Sequence, residues 1–199
     1  FQKLSSHLLV LNIGIFSSDA ESFQTLKNVK HDQLLVLCLR TNKTLDQLSW
    51  LLGFPNLKVF RLEMNGLETI SFPDGLFNLE VLHLTHTMLE SISDDTWSKL
   101  INLKTLNLRM NRLKLNRGSF FKGLEKLVKL DLSANELDSI DKQAFQGLVN
   151  LECLDLSNNF HMQNLDPEVF ACLPNLKHLR MDNTKIEIDT KTFSNLTRL

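Results

Sequence analysis

Two pairs of residues in this sequence carry side chains that can do chemistry. Asp131 and Asp155 hold equivalent places in the similar segments LDLSANEL and LDLSNNF, and paired carboxylates can transfer protons or bind a cation. His83 and His86 lie three residues apart and offer imidazole nitrogens to a metal ion. The histidines fall on a predicted strand and its exit, where they do not converge on one ion. The aspartates fall on a predicted open surface, so we interpret them as a solvated acidic strip.

The three cysteines also lack the arrangement of a reactive or metal site. Cys38, Cys153 and Cys172 are an odd number, so at least one is free or pairs outside this sequence. Cys153 is predicted to face outward from a strand and Cys172 to lie on the opposite side of the same repeat, too far apart for a disulfide. The chain has no zinc-ligand spacing, phosphate-binding loop, nucleophile elbow or HExxH sequence. The residues therefore predict no enzyme, no cofactor and no metal site.

The composition of the chain argues against several other classes of protein. The 199 residues are 43% hydrophobic, enough to form a core, and the net charge of −1 gives no reason to expect nucleic acid or an anionic membrane as partner. The longest mainly apolar run, HLLVLNIGIF, is too short to cross a bilayer. Because the chain opens at Phe1 without a signal peptide, we expect a mature or excised piece of a longer protein.

An internal repeat must position all these residues. The pattern LxxLxLxxNxL recurs at intervals of 22 to 26 residues, and three successive intervals are 24. Heptads and amphipathic helices do not produce this spacing. Copies start at Leu34, Leu57, Leu79, Leu103, Leu127, Leu151 and Leu176, with a degenerate copy at Leu8 and a further one beginning at Leu199.

Each fixed position of the repeat has a predicted role. The alternating leucines indicate a short strand with one buried face. The asparagine at position nine falls where the strand turns away, so its amide is expected to bond with backbone groups that the bend leaves unpaired. Stacked repeats would align these amides as a ladder, predicted for Asn42, Asn65, Asn111, Asn135 and Asn159, with Thr87 and Thr184 as smaller substitutes.

The second half of most copies carries an aromatic residue and then a leucine three residues later. Phe121 with Leu124 and Phe145 with Leu148 are examples, and these side chains are expected to fill the core from the side opposite the strands. One copy alone buries too little apolar surface to offset the entropy of ordering its backbone. The repeats are therefore predicted to fold as one array.

The repeat, with segments such as LDLSANELDSIDKQAFQGL and LDLSNNF, resembles the leucine-rich repeat family of extracellular proteins. That resemblance implies the α/β class: a right-handed horseshoe solenoid with a parallel β-sheet on its concave face and a mostly irregular convex side. With the looser early repeats around Leu34, the chain is most similar to ectodomain segments of Toll and Toll-like receptors, insect Toll included. We expect residues 1–199 to form a single array of about eight repeats, an uncapped fragment of a longer ectodomain.

Positions three, five and seven of each copy are predicted to face out of the concave sheet. Position three begins with four valines in successive strands, Val10, Val36, Val59 and Val81, which would form an apolar stripe. Valine also simply suits strands, which is the alternative explanation. Methionines such as Met88 and Met110 would extend the same side. The candidate ligand-binding residues are Val36, Arg40, Val59, Arg61, Glu63, Met64, Val81, His83, His86 and Arg109.

Two asparagines begin the Asn-x-Ser/Thr sequence of N-glycosylation. Asn195 falls in the second half of its copy, which leads the chain back to the next strand (the return side), and it can point to solvent there. Asn42 instead falls at a ladder position. We therefore predict a glycan on Asn195 and none on Asn42.

The resemblance to Toll receptors implies an extracellular, membrane-anchored parent that binds a ligand and signals, with a receptor dimer as a possible assembly. It implies a cystine-knot cytokine of the Spätzle type as partner for an insect Toll, or a microbial product for a Toll-like receptor. The alternative is a secreted or adhesive leucine-rich repeat protein without a signalling role. An enzyme is the least favoured interpretation.

Overall fold

The protein is a stack of repeats that each contribute one strand to a parallel sheet. In a computed structural model, the described residues are 7–15, 28–42, 48–64, 66–93, 95–163, 165–187, 193–194, 196 and 198–199. The eight strands pair in chain order. They are β1 Val10–Ile15, β2 Val36–Thr41, β3 Val59–Met64, β4 Val81–Thr85, β5 Thr105–Asn107, β6 Lys129–Asp131, β7 Cys153–Asp155 and β8 His178–Arg180. Short 3₁₀ helices on the return side span Ser49–Gly53, Trp97–Lys99 and Pro167–Phe170.

The leucines of the strands build one side of the core. Leu106, Leu130 and Leu154 are paired in register on neighbouring strands and are at most 2% exposed. The return halves supply the other side, where the rings of Phe121 and Phe145 stack with their centroids 6.1 Å apart. One face of the sheet is thus buried, and the face that carries positions three, five and seven (the concave face) is left for contacts. The predicted solenoid, with a parallel sheet that is buried on one face, is confirmed.

Asparagine amides tie the repeats together where the later strands end. The Asn135 Nδ2 donates to the backbone oxygens of Leu108 and Leu132 at 3.0 Å, and its Oδ1 accepts from the backbone N–H of Leu113 at 3.1 Å. These partners belong to two adjacent repeats, so one side chain satisfies buried backbone groups in both. The equivalent buried amides are those of Asn111 and Asn159.

Asn42 has an exposed side chain, and the prediction that it lies buried in the ladder is wrong. Strand β2 continues through Thr41, which is buried, and the alternation of a strand then turns the next side chain outward, so Asn42 is exposed. Asn65 lies outside the described residues. In later repeats position eight instead takes a left-handed conformation, which turns the asparagine inward; these residues include Met110, Ala134 and Asn158.

A second row of asparagines was not anticipated from the sequence. Each stands immediately before the first leucine of a repeat and donates its Nδ2 to a backbone oxygen of the preceding repeat. The Asn102 amide, for example, donates to the Phe77 oxygen at 2.7 Å, and the Asn150 amide to the Glu125 oxygen at 2.7 Å. The recurrent dipeptide Asn-Leu was the available signal. Other members are Asn56, Asn78 and Asn175.

Two glycines at equivalent places test how closely the return halves pack. Gly123 and Gly147 have φ of +98° and +93°, which disfavour any side chain. A Cβ on Gly123 would also lie 2.8 Å from the Cα of Ser98, whereas a Cβ on Gly147 meets nothing within 4 Å. Gly147→Ala should therefore cost about 1 kcal/mol, and Gly123→Ala about 1 kcal/mol more because the backbone of the preceding repeat must shift. Urea unfolding of both variants measures the difference, and equal losses would contradict this packing.

Candidate functional site

The four valines of position three form one continuous row on the concave face. Val10 pairs with Val36, Val36 with Val59, and Val59 with Val81. At a strand spacing of about 4.8 Å the row is roughly 14 Å long. Val10 is 49% exposed and the other three are half-buried. This valine stripe ends at Thr105, the first polar residue in the row.

Charged side chains border the valine stripe at positions five and seven. Arg61 on β3 is exposed and is paired in register with Cys38 on one side and His83 on the other. In the described part of the chain, no carboxylate forms an ion pair with Arg61. Arg40 by contrast donates to Glu63 at 2.5 Å. Among the described residues, Arg61 is thus a cation beside the stripe that a ligand carboxylate can reach without displacing an ion-pair partner.

The concave face carries two shallow hollows that meet at His83. The first has a volume of about 490 Å³ and is lined by residues of β1 to β4, including Cys38, Arg61 and Glu63. The second, of about 630 Å³, lies over β5 to β8 and includes Lys129. Both hollows are open to solvent rather than enclosed, which suits a broad partner surface better than a small substrate.

The structure places three further candidate residues away from the valine stripe. Met64 was predicted to face a ligand, but it is 3% exposed and belongs to the core, because β3 runs on to this residue and the alternation points it inward. His86 and Arg109 are both exposed at the strand ends, on neighbouring repeats, where the His86 N–H donates to the Arg109 oxygen at 3.3 Å. Met88 is half-buried, and Met110 is 40% exposed.

The aspartates of the second half have a local structural role. Asp131 and Asp155 are paired in register on β6 and β7 and are half-buried. One carboxylate oxygen of each accepts from the backbone N–H at 2.9 Å and the hydroxyl at 2.6 Å of the serine two residues later, Ser133 or Ser157. The Asp155 carboxylate also lies 3.3 Å from the Arg180 guanidinium. They are therefore turn caps rather than the simple solvated strip that the sequence suggested.

The repeat motif is shared with a known family. The family model described as leucine rich repeat matches residues 77–137, 101–159 and 125–186. Together these matches span more than half of the chain. The chain belongs to the leucine-rich repeat family.

Similar leucine-rich repeat proteins include receptors. The chain is 35% identical over 74 residues to leucine-rich repeat-containing G-protein coupled receptor 5 of Rattus norvegicus, a match covering 37% of this chain and 8% of that receptor. It resembles the TLR13 structure solved as a TLR13–ssRNA13 complex (TM-score 0.67, 22% identity, 98% of this chain and 36% of that one). It also resembles mouse RP105 from the RP105/MD-1 complex, with a TM-score of 0.67 and 26% identity over 78% of this chain and 27% of that one. The structure of Listeria monocytogenes InlP is similar with a TM-score of 0.71 and 22% identity over 90% of this chain and 50% of that one.

The remaining chemical groups of this leucine-rich repeat array stand apart from one another. Cys38, Cys153 and Cys172 are all free thiols and half-buried, and burial raises the pKa of the Cys172 thiol. Over the described ranges, no group of three or more histidines, cysteines and carboxylates could hold a metal ion. No described helix is long and apolar enough to span a bilayer.

His83 reports the charge at the centre of the concave face. Burial lowers the pKa of this imidazole, the Arg61 guanidinium lowers it further, and Asp131 raises it. Arg61→Gln should therefore raise the pKa of His83, although the remaining burial keeps it below its ordinary value. Arg40→Gln/Glu63→Gln is the matched control, because removing both members of this ion pair leaves the net charge unchanged and should leave the pKa of His83 where it is. An NMR titration of the imidazole measures both, and an unchanged or lower pKa in Arg61→Gln would contradict this placement.

Proposed function

We propose that this chain is the ligand-binding segment of an extracellular receptor of the Toll type, which recognises a protein ligand through the first half of its concave face. The contact surface is centred on Val59, Arg61, Val81 and His83. The implied partner is a cystine-knot cytokine of the Spätzle type, and the parent is membrane-anchored, signals, and can act as a receptor dimer. The chain spans less than half of the TLR13 and RP105 chains and 8% of the matched G-protein coupled receptor.

The valine stripe, next to an arginine that has no ion-pair partner among the described residues, is the observation that carries this proposal. Apolar surface that stays in contact with water on a folded protein more often marks a contact site than an accident. Arginine is enriched at the centres of interfaces, where its flat guanidinium can pair with a partner carboxylate, whereas acidic residues are depleted there. Arg61 lies two residues after the half-buried Val59 on β3 and is paired in register with the half-buried His83 on β4. This combination suits a protein surface that offers a carboxylate beside apolar side chains.

The charges of the concave face favour a protein over a nucleic acid. A phosphate backbone is bound by many cations acting together. In the first half Arg40 is offset by Glu63, and in the second half Asp155 and Asp182 offset Arg180. With a formal net charge of −1, the chain also has no overall positive charge to attract a phosphate backbone.

A direct binding measurement separates these partners. The chain is immobilised, and a purified cystine-knot cytokine and a single-stranded RNA are passed over it at physiological salt. Saturable cytokine binding with a Kd of about 1 μM or tighter supports the proposal. RNA binding that disappears as salt is raised, without cytokine binding, would overturn the choice of partner class.

A secreted or adhesive leucine-rich repeat protein without a signalling role is the second candidate, because a fold alone does not distinguish a receptor from a binding protein that does not signal. The gene of the parent protein separates the two. A membrane span followed by a cytoplasmic signalling domain favours the receptor, and a coding sequence that lacks both favours the alternative.

A further inference from the structure

Asn42 combines an exposed side chain with a glycosylation sequence. Among the described asparagines at position nine, Asn111, Asn135 and Asn159 are 6%, 7% and 0% exposed, whereas Asn42 is exposed. Asn42-Lys43-Thr44 is the Asn-x-Thr sequence to which N-linked glycans are transferred, and Asn195 begins the other such sequence in the chain. None of the three buried asparagines begins one.

The course of β2 explains why Asn42 is accessible. The strand keeps its alternation to its last residue, with Leu39 and Thr41 buried and Arg40 exposed, so the next side chain points to solvent. A glycan replaces one proton of the asparagine Nδ2 and requires space around that atom. In Asn135 both Nδ2 protons are used inside the protein, one toward Leu108 and one toward Leu132. A sugar there would break the ladder, whereas the Asn42 side chain is exposed at the surface.

We propose that Asn42 carries an N-linked glycan at the carboxyl end of β2. The proposal rests on the extracellular location in the proposed function, because the glycan is added in the secretory pathway. It reverses the prediction made from the repeat pattern, which assigned Asn42 to the buried ladder.

The course of β2 also sets where the glycan is attached relative to the valine stripe. Val36 begins β2 and Asn42 follows its end, which places them about 20 Å apart along the strand at a rise of 3.3 Å per residue. The attachment point therefore borders Arg40 and the strand exits, at the opposite end of β2 from the valine stripe.

Site-specific mapping of the secreted protein tests the proposal. The protein is directed through the secretory pathway of cultured animal cells and treated, without denaturant, with peptide:N-glycosidase F in H₂¹⁸O, which converts a glycosylated asparagine into labelled aspartate. We expect the label on Asn42 in peptide mass spectra. Asn42→Gln and Thr44→Ala should each lose this glycan completely, and the matched variant Thr44→Ser, which preserves the Asn-x-Ser/Thr sequence, should keep it. Equal secretion of the three variants excludes misfolding as the cause.

The second glycosylation sequence separates failure of this proposal from failure of the proposed function. Labelled Asn195 with unmodified Asn42 would overturn the Asn42 glycan while the extracellular location stands. If neither residue is labelled in secreted material, the Asn42 glycan is overturned, and a support for the extracellular location is removed as well. A glycan on Asn42 that is released only after denaturation would contradict the exposed position from which the proposal is argued.

Discussion

Asn135→Ala should lower the free energy of unfolding by about 3 kcal/mol. The substitution leaves the backbone oxygens of Leu108 and Leu132 and the N–H of Leu113 without the partners that Asn135 provides. All three groups are in the interior, where an unsatisfied polar group costs about 1–3 kcal/mol. The loss reaches two repeats at once, so it should destabilise the whole array rather than fray one unit. Urea unfolding measured by circular dichroism gives the change, provided that the slope with denaturant stays the same.

Asn150→Ala is the matched control for this prediction. It removes the same side chain from the second row of asparagines, where Asn150 is exposed and donates one hydrogen bond to the Glu125 oxygen. Water can replace that bond, so the expected loss is below about 1 kcal/mol. Equal destabilisation by the two variants would show that burial of the amide is not what makes the ladder stabilising.

The fold could be predicted from the sequence because its signal is repeated and local. The leucines recur with a period near 24 and alternate within each copy, and the register follows, since Leu106, Leu130 and Leu154 hold the same position in successive copies. A pattern that specifies which side chains are buried in one repeat specifies them in its neighbour. The parallel sheet and the aromatic return half needed no further information.

The errors arose where neighbouring repeats differ in backbone conformation. Strands β2 and β3 have six residues, whereas β5 to β8 have three. In the long strands alternation continues, which buries Met64 and exposes Asn42; in the short ones a left-handed residue such as Ala134 turns the chain first. Strand length depends on contacts with the adjacent strand, and the repeat pattern alone does not contain it. The same motif therefore leaves the asparagine at position nine exposed in the repeat of β2 and buries it in the later repeats.

The candidate surface could be located in part. The alternation of side chains along each strand predicts that positions three, five and seven face outward. The structure pairs the valines of position three in the predicted order, Val10, Val36, Val59 and Val81. The role of Asp131 and Asp155 was not recognised, although the spacing Asp-x-Ser indicates an aspartate that caps its own turn. Which outward residues bind a partner depends on that partner, whose chemistry the repeat does not encode.

The variant Val59→Asp/Arg61→Glu/Val81→Asp should lose binding of the protein ligand by at least about 100-fold, or roughly 2.7 kcal/mol. Two carboxylates would interrupt the valine stripe, and the reversed charge at Arg61 would repel the carboxylate that the arginine is expected to bind. The three side chains are exposed or half-buried on the concave face and do not belong to the core. The circular dichroism spectrum should therefore be unchanged.

The second half of the sheet offers a matched control with the same change in charge. Cys153→Asp/Arg180→Glu/His178→Asp alters two residues of position three and one arginine of position five, on β7 and β8. Both triple variants change the formal net charge by −4 with histidine neutral, so long-range electrostatics alone affects them alike. Only the location on the concave face differs.

The affinity of these two triple variants for the purified cystine-knot cytokine, measured beside the parent chain, tests the central claim most directly. We predict that the first-half variant loses at least about 100-fold in affinity and the second-half variant less than about 5-fold, a difference that only a local contact can produce. Normal cytokine binding by the first-half variant, together with loss of binding by the second-half variant, would place the contact surface over β5 to β8 and contradict the account.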